Sequence, residues 1–189
     1  MTATWLRMMG ALRVAEITAA LALTPSLAPQ PATQPAPDFS LPQVHGGVFH
    51  LHRRPARTTL LAFLQTVPDT ADTPSRGEAV FVLSMAHQYG PRGLRVAVID
   101  ASALVNVQAP RRDALVNAGY DWHLDIPLLV DTDNRVAKAF SVTRLPTIVL
   151  LAPGGSISRR WEGFTRPAAL AQGIERILGG PLGSIPEIR

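Results

Sequence analysis

Phe140-Ser141-Val142-Thr143-Arg144-Leu145-Pro146-Thr147-Ile148-Val149-Leu150-Leu151, followed by Pro153-Gly154-Gly155 and residues 156–162, sets three structural instructions in a row. Residues 147–151 are continuously apolar after the threonine and β-branched at three positions, the composition of a strand buried on both faces. Pro-Gly-Gly then supplies a turn, so residues 156–162 are expected to return as an antiparallel partner. Pro146 cannot donate a backbone hydrogen bond, so the chain enters this hairpin through a loop. Behind the hairpin, residues 165–167 open a final helix whose apolar positions Leu170, Ile174, Ile177 and Leu178 share one face, and Gly179-Gly180 ends it.

Working back towards the N-terminus, strands alternate with helices. Residues 126–130 form a short strand, and Asp131-Thr132-Asp133-Asn134 is a solvated polar turn capping a short helix over 135–140. It lacks the glycine and the distant glutamate of a calcium loop. Pro110 opens a helix that runs through Asn117 and stops near Gly119. Residues 94–100 (LRVAVID) and 58–64 (TTLLAFL) are two further buried strands. Between them, Ser75-Arg76-Gly77-Glu78 fits a capping box at the head of a helix over 76–89, with Val82, Leu83 and Ala86 on its apolar face and Gly90-Pro91 at its end. Residues 48–52 add an extended segment upstream. The whole describes one α/β domain with a mixed central β-sheet flanked by helices.

The composition narrows the chemistry. The 189 residues include no cysteine, which removes disulfides, thiolate nucleophiles, cysteine-ligated zinc or iron-sulfur centres and thioether haem attachment. The formal charge is +4, and every basic residue except Lys138 is arginine. The arginines are scattered, with small doublets at Arg53-Arg54, Arg111-Arg112 and Arg159-Arg160 and no continuous stripe, which argues against nucleic acid as a partner. Residues 1–28, with Arg7 and Arg13 ahead of an apolar run from Ile17, read as a signal peptide or membrane anchor, and residues 29–37 as a proline-rich linker. The domain proper then covers 38–180 and a tail 181–189. The corresponding location is exported, periplasmic or membrane-associated, with a cytoplasmic protein as the alternative.

Three local patterns carry a family resemblance. Pro37-Asp38-Phe39-Ser40-Leu41-Pro42 with Gly46-Gly47-Val48 and Leu51 resembles the opening hairpin of redoxins, the family that joins peroxiredoxins to TlpA-like thiol-disulfide reductases. Residues 140–147 are similar to the family segment that holds a cis-proline beside the active site, with Pro146 on that proline. Ile126-Pro127-Leu128-Leu129-Val130-Asp131 is similar to the strand before the family's short helix. The resemblance implies a thioredoxin-like fold carrying an N-terminal β-hairpin extension, over about residues 37–180. It also implies a cysteine pair between the first core strand and the next helix. In Cys-Pro-Pro-Cys-Arg register, Asp72 and Ser75 stand at the two cysteine positions; in peroxiredoxin register, Thr73 stands at the peroxidatic one. No sulfur is present in either alignment, so no residue can carry a disulfide or sulfenic intermediate.

Other constellations are weaker. His50 and His52 lie on one face of a strand, a spacing able to hold a metal, but two imidazoles with only His45 nearby read as a solvent-facing strand edge. No metal or cofactor is expected. There is no Gly-x-Ser-x-Gly, and Ser75 is explained as a cap rather than a nucleophile. Trp122-His123 reads as a partly buried loop anchor. The expected function is that of a redox-inactive thioredoxin-like protein binding an extended polypeptide or a partner protein through Arg76, Arg144, Leu145, Pro146 and Thr147. Two alternatives stand beside it: an enzyme with a cysteine-free site around Asp72, Thr73, Ser75 and Arg144, and a structural subunit of an envelope assembly.

Overall fold

The computed structural model describes residues 34–52, 56–67, 74–105 and 112–179. The expected segments 1–28 and 181–189, and positions Asp72 and Thr73, lie outside them. A five-stranded mixed sheet forms from β3 (Thr59–Leu64), β4 (Arg95–Asp100), β5 (Leu128–Val130), β6 (Thr147–Leu151) and β7 (Ile157–Glu162), in the spatial order β5-β4-β3-β6-β7. The first three run parallel to one another, and β6 and β7 each pair antiparallel. A separate antiparallel hairpin joins β1 (Phe39–Pro42) to β2 (Val48–Leu51).

The continuous apolar runs are explained by burial on both sides. Every residue of β3 and of β6 is buried, and successive side chains go to opposite faces. Leu60, Ala62, Leu64, Ile148 and Leu150 face a layer made by α1 (Pro74–Tyr89), α2 (Arg112–Asp121) and α4 (Pro167–Leu178), which contribute Val82, Met85, Leu115, Leu170 and Ile174. Leu61, Phe63, Val149 and Leu151 face the hairpin and α3 (Arg135–Ala139), which contribute Phe39, Leu41, Phe49, Leu51 and Val136. The hairpin is therefore half of the second layer. It is anchored at both sheet edges: the Ile157 N–H donates to the Gln34 carbonyl at 2.9 Å beside β7, and the Val44 N–H donates to the Leu128 carbonyl at 2.9 Å on β5. Arg95 stacks on the Phe49 ring at 3.8 Å and donates to the His50 carbonyl, clamping β2 to β4.

Local readings need three corrections. The capping box is not formed: helix α1 starts at Pro74, the Ser75 hydroxyl accepts from the Gln65 N–H at 2.9 Å, and the buried Glu78 carboxylate accepts from Thr165. The tertiary partners outcompete the local ones. Helix α2 does not stop near Gly119 but continues to Asp121, because Gly119 is buried inside it against His45 and Leu128. Asp131 is fully buried rather than solvated, its two oxygens accepting from the Val136 and Ala137 N–H groups at 3.2 and 2.8 Å. It does cap α3, and burial raises its pKa more than those N–H groups lower it.

The tail of α1 is tied to α4 by the Tyr89 hydroxyl, which donates to Glu175 at 2.7 Å; burial and that carboxylate push the phenol up to about 12. Helix α4 reaches β7 at a position where only glycine fits. A Cβ on Gly173 would lie 2.8 Å from the Trp161 ring. Gly173→Ala should therefore destabilise the fold by about 1–3 kcal/mol through overpacking, despite alanine's better helix propensity. Urea denaturation measures it, and an unchanged midpoint would contradict the close approach.

Candidate functional site

The parallel strands β3 and β4 deliver their C-terminal ends to one edge of the sheet, the side where open α/β sheets place ligands. A polar knot closes that edge. Asp100, 1% exposed, accepts through Oδ1 from the Thr66 hydroxyl at 2.7 Å and from the Ser102 hydroxyl and N–H. Ser102 Oγ in turn accepts from the Thr66 and Val67 N–H groups at 2.9 and 3.0 Å. Burial raises the Asp100 pKa, opposed by the hydrogen bonds from Ser102 and Thr66. The knot fixes the exit of β3, and the Ser75 hydroxyl holds the next residue back, at Gln65.

Opposite stands the loop between α3 and β6. Arg160 of β7 donates to the carbonyls of Phe140 and Ser141, which secures the turn where Ser141 adopts φ 53°. The Leu145–Pro146 peptide is cis. The Pro146 carbonyl accepts from the Gly163 N–H at 2.8 Å, and the Thr147 hydroxyl donates to the Arg144 carbonyl at 2.6 Å. Neither the N–H nor the C=O of Leu145 has a partner among the described residues.

The third wall is the β7–α4 connection. Phe164, 58% exposed, lies against the first turn of α1, with its ring 3.6 Å from where a Cβ of Gly77 would stand and 5.5 Å from the Phe81 centroid. The neighbouring Thr165 N–H donates to Glu78 Oε2 at 2.8 Å, whereas Glu78 Oε1 is buried without a partner among the described residues. Desolvation raises the Glu78 pKa and the Thr165 hydrogen bond lowers it, burial being the larger effect.

The structure thus treats the expected site residues unequally. Arg144 is exposed and Leu145 half-buried at the mouth, whereas Pro146 and Thr147 are buried beneath them. Arg76 is half-buried and reaches the Asp121 carbonyl at 3.4 Å. Ser75 is buried and its oxygen accepts from the Gln65 N–H. Elsewhere, the His50 and His52 rings stack at 6.4 Å with an interplanar angle of 12°, and His50 Nδ1 meets Ser40 Oγ at 2.7 Å. Among the described residues, no three His, Cys, Asp or Glu side chains are grouped to hold a metal ion. Sequence reasoning missed Asp100, Thr66, Ser102 and Phe164. A lone carboxylate ending an otherwise apolar strand, Leu94 to Asp100, was the available signal for the first.

No family model matches the chain, and no curated protein sequence does. Solved structures do match. A candidate thiol:disulfide interchange protein DsbE from Chlorobium tepidum superposes with a TM-score of 0.66 at 21% identity, covering 78% of this chain and 97% of that one. A thiol-disulfide oxidoreductase from Bacteroides fragilis gives 0.61 at 23%, covering 76% and 98%. A secreted disulfide oxidoreductase from Mycobacterium tuberculosis gives 0.58 at 14%, covering 72% and 93%. This chain has a thioredoxin-like fold. Within that thioredoxin-like frame, the five-stranded mixed sheet and the added hairpin are those expected from residues 37–51 and 126–151, and the frame carries no cysteine.

Two consequences can be measured. Glu78 binds its proton more tightly folded than unfolded, so the folded state holds the extra proton between the ordinary pKa of 4.5 and the raised one, and stability falls as pH rises through that window. Glu78→Gln keeps an acceptor for Thr165 without the charge. It should match the parent near pH 4 and become the more stable protein as pH rises, a crossover read by thermal melts across pH. Ser102→Ala removes the side-chain acceptor of the Thr66 and Val67 N–H groups and one of the three donors to Asp100 Oδ1. A loss of about 2–4 kcal/mol in denaturant titration is expected.

Proposed function

We propose that this is a redox-inactive thioredoxin-like protein that binds an extended segment of a partner polypeptide across the Leu145–Pro146 loop. The observation that carries the reading is the main chain of Leu145, half-buried at the mouth of the loop, whose donor and acceptor lack partners among the described residues. An extended chain can supply both by β-type pairing, and Phe164 and Arg144 stand beside it as exposed side-chain contacts. The partner supplies what the loop lacks. Export or membrane tethering accompanies this reading; it is supported by the basic-then-apolar N-terminal sequence and by a neighbour described as secreted.

The absence of cysteine gives the reading its negative half. Thiol-disulfide exchange needs an attacking thiolate and a mixed disulfide, and neither can form on this chain. The purified protein should not accelerate insulin reduction by dithiothreitol, nor consume peroxide. For the positive half, partners captured from the native source should slow hydrogen exchange at the Leu145 amide, and Phe164→Ala or Arg144→Glu should weaken capture roughly tenfold, the size of loss typical of an interface contact. Measured redox turnover would overturn the first half. A bound partner that leaves Leu145 exchange unchanged and tolerates both substitutions would overturn the second.

A further inference from the structure

A second concavity, formed by residues that the Leu145 loop does not use, has its own chemistry. Two adjoining hollows of about 270 and 260 Å³ share His45, Leu124 and Asp125. His45 comes from the β1–β2 turn, Tyr120 and Gly119 from the end of α2, and His123 and Asp125 from the loop that leads to β5. The geometry points to a site for an organic cation, an ammonium or guanidinium group, held between aromatic rings and a carboxylate.

Three observations support it. The first hollow is lined by three rings: His45 and Tyr120 meet edge-to-face at 5.9 Å and 76°, and His123 completes the set. Tyr120 is 69% exposed, the most exposed large apolar side chain among the described residues, so its ring is open to a ligand. The face of the exposed Tyr120 ring attracts a cation rather than an anion. The second observation is charge. The chain has 18 Lys and Arg residues and a net charge of +4, yet neither hollow is lined by one; the single charged side chain lining them is Asp125. His87 from α1 holds that carboxylate in place, Nε2 to Oδ2 at 2.8 Å. An anionic ligand would meet a carboxylate without a compensating arginine, and a metal ion would lack a third ligand.

The third observation is that local preferences are set aside here. Gly119 occupies a helix interior although a Cβ there would meet only ordinary contacts at 3.6 Å, and its bareness keeps the floor beneath His45 open. His123 takes the left-handed position, φ 51°, just past α2, where the Leu124 N–H closes back on the Gly119 carbonyl at 3.0 Å. Glycine is the common residue at such a cap. An imidazole in that place is carried where a smaller residue would serve the fold better.

The test is a titration of the isotope-labelled full chain with choline, with N-acetyl-arginine amide and with dimethylbutanol, the uncharged isostere of choline, followed at the amides of Tyr120, His123 and Asp125. Both cations should saturate the shifts, and the isostere should bind at least about fivefold more weakly, as expected if cation attraction supplies the affinity. Tyr120→Ala and Asp125→Asn should each weaken the cations about two- to fivefold. Both side chains are exposed, so the variants are expected to keep the parent's melting temperature. Tighter binding of the arginine amide would assign the cation to a polypeptide side chain, and tighter binding of choline to a free ammonium compound. Equal affinity for the isostere, no saturation by roughly 50 mM of either cation, or unchanged binding in both variants would overturn the proposal.

Discussion

The constraint on which this structure depends is that its central strands are apolar on both faces. Leu60-Leu61-Ala62-Phe63-Leu64 and Ile148-Val149-Leu150-Leu151 leave no polar face to turn to water, so each sheet surface must be roofed. Three helices roof the even-numbered side of β3. The odd-numbered side has only the short α3, and that is why the chain ahead of β3 is drawn into the fold. Phe39, Leu41, Phe49 and Leu51 alternate with exposed Ser40, Val48 and His50, so the hairpin buries one face and wets the other. What looks like an added hairpin is the missing half of a layer.

Once both faces are covered, polar chemistry is forced to the ends of the strands, and there the structure uses buried carboxyl groups as fasteners. Asp100 ties the exit of β3 to the exit of β4, Asp131 ties β5 to α3, and Glu78 ties α1 to the head of α4. Each accepts backbone or hydroxyl donors from a different segment. In each, desolvation raises the pKa more than the donors lower it. The three act in the same direction with pH, so their combined contribution to stability diminishes as they ionise. A fold with no disulfide and no metal ligation from cysteine depends correspondingly more on such loop fasteners.

Element order, the core strands and the closing hairpin were legible because they follow from periodicity and turn chemistry, which are local, whereas the opening hairpin followed from the family resemblance of residues 37–51. The capping box failed for a physical reason. Ser75 and Glu78 have the correct spacing for each other, but the Gln65 and Thr165 N–H groups are brought to them by the sheet and the last helix, 10 and 87 residues away in sequence. Gly119 misled in the same way: read locally it stops a helix, whereas in the fold it lies buried within one, facing His45 and Leu128. The Leu145 loop could be read because its proline leaves a mark in the sequence. The hollow around Asp125 could not, since its residues come from positions 43 to 128 and meet only through packing.

In one of the two registers that the family resemblance allows, Ser75 stands at a cysteine position, and its role in this structure is a hydrogen-bonding one. The resemblance places a cysteine there, at the head of a helix, where backbone dipoles favour a thiolate. A hydroxyl in the same place gains little from that field because it does not ionise near neutral pH. It is, however, a better hydrogen-bond acceptor than a thiol, and here it accepts from Gln65 at the end of β3. The strand exit and the helix entrance are thereby fixed to each other by an oxygen, and the knot around Asp100 fixes the following residues. Across from this fixed side stands the main chain of Leu145, which has no partner among the described residues. That distribution, fixed at the strand exit and open at Leu145, is the one the proposed binding role would use.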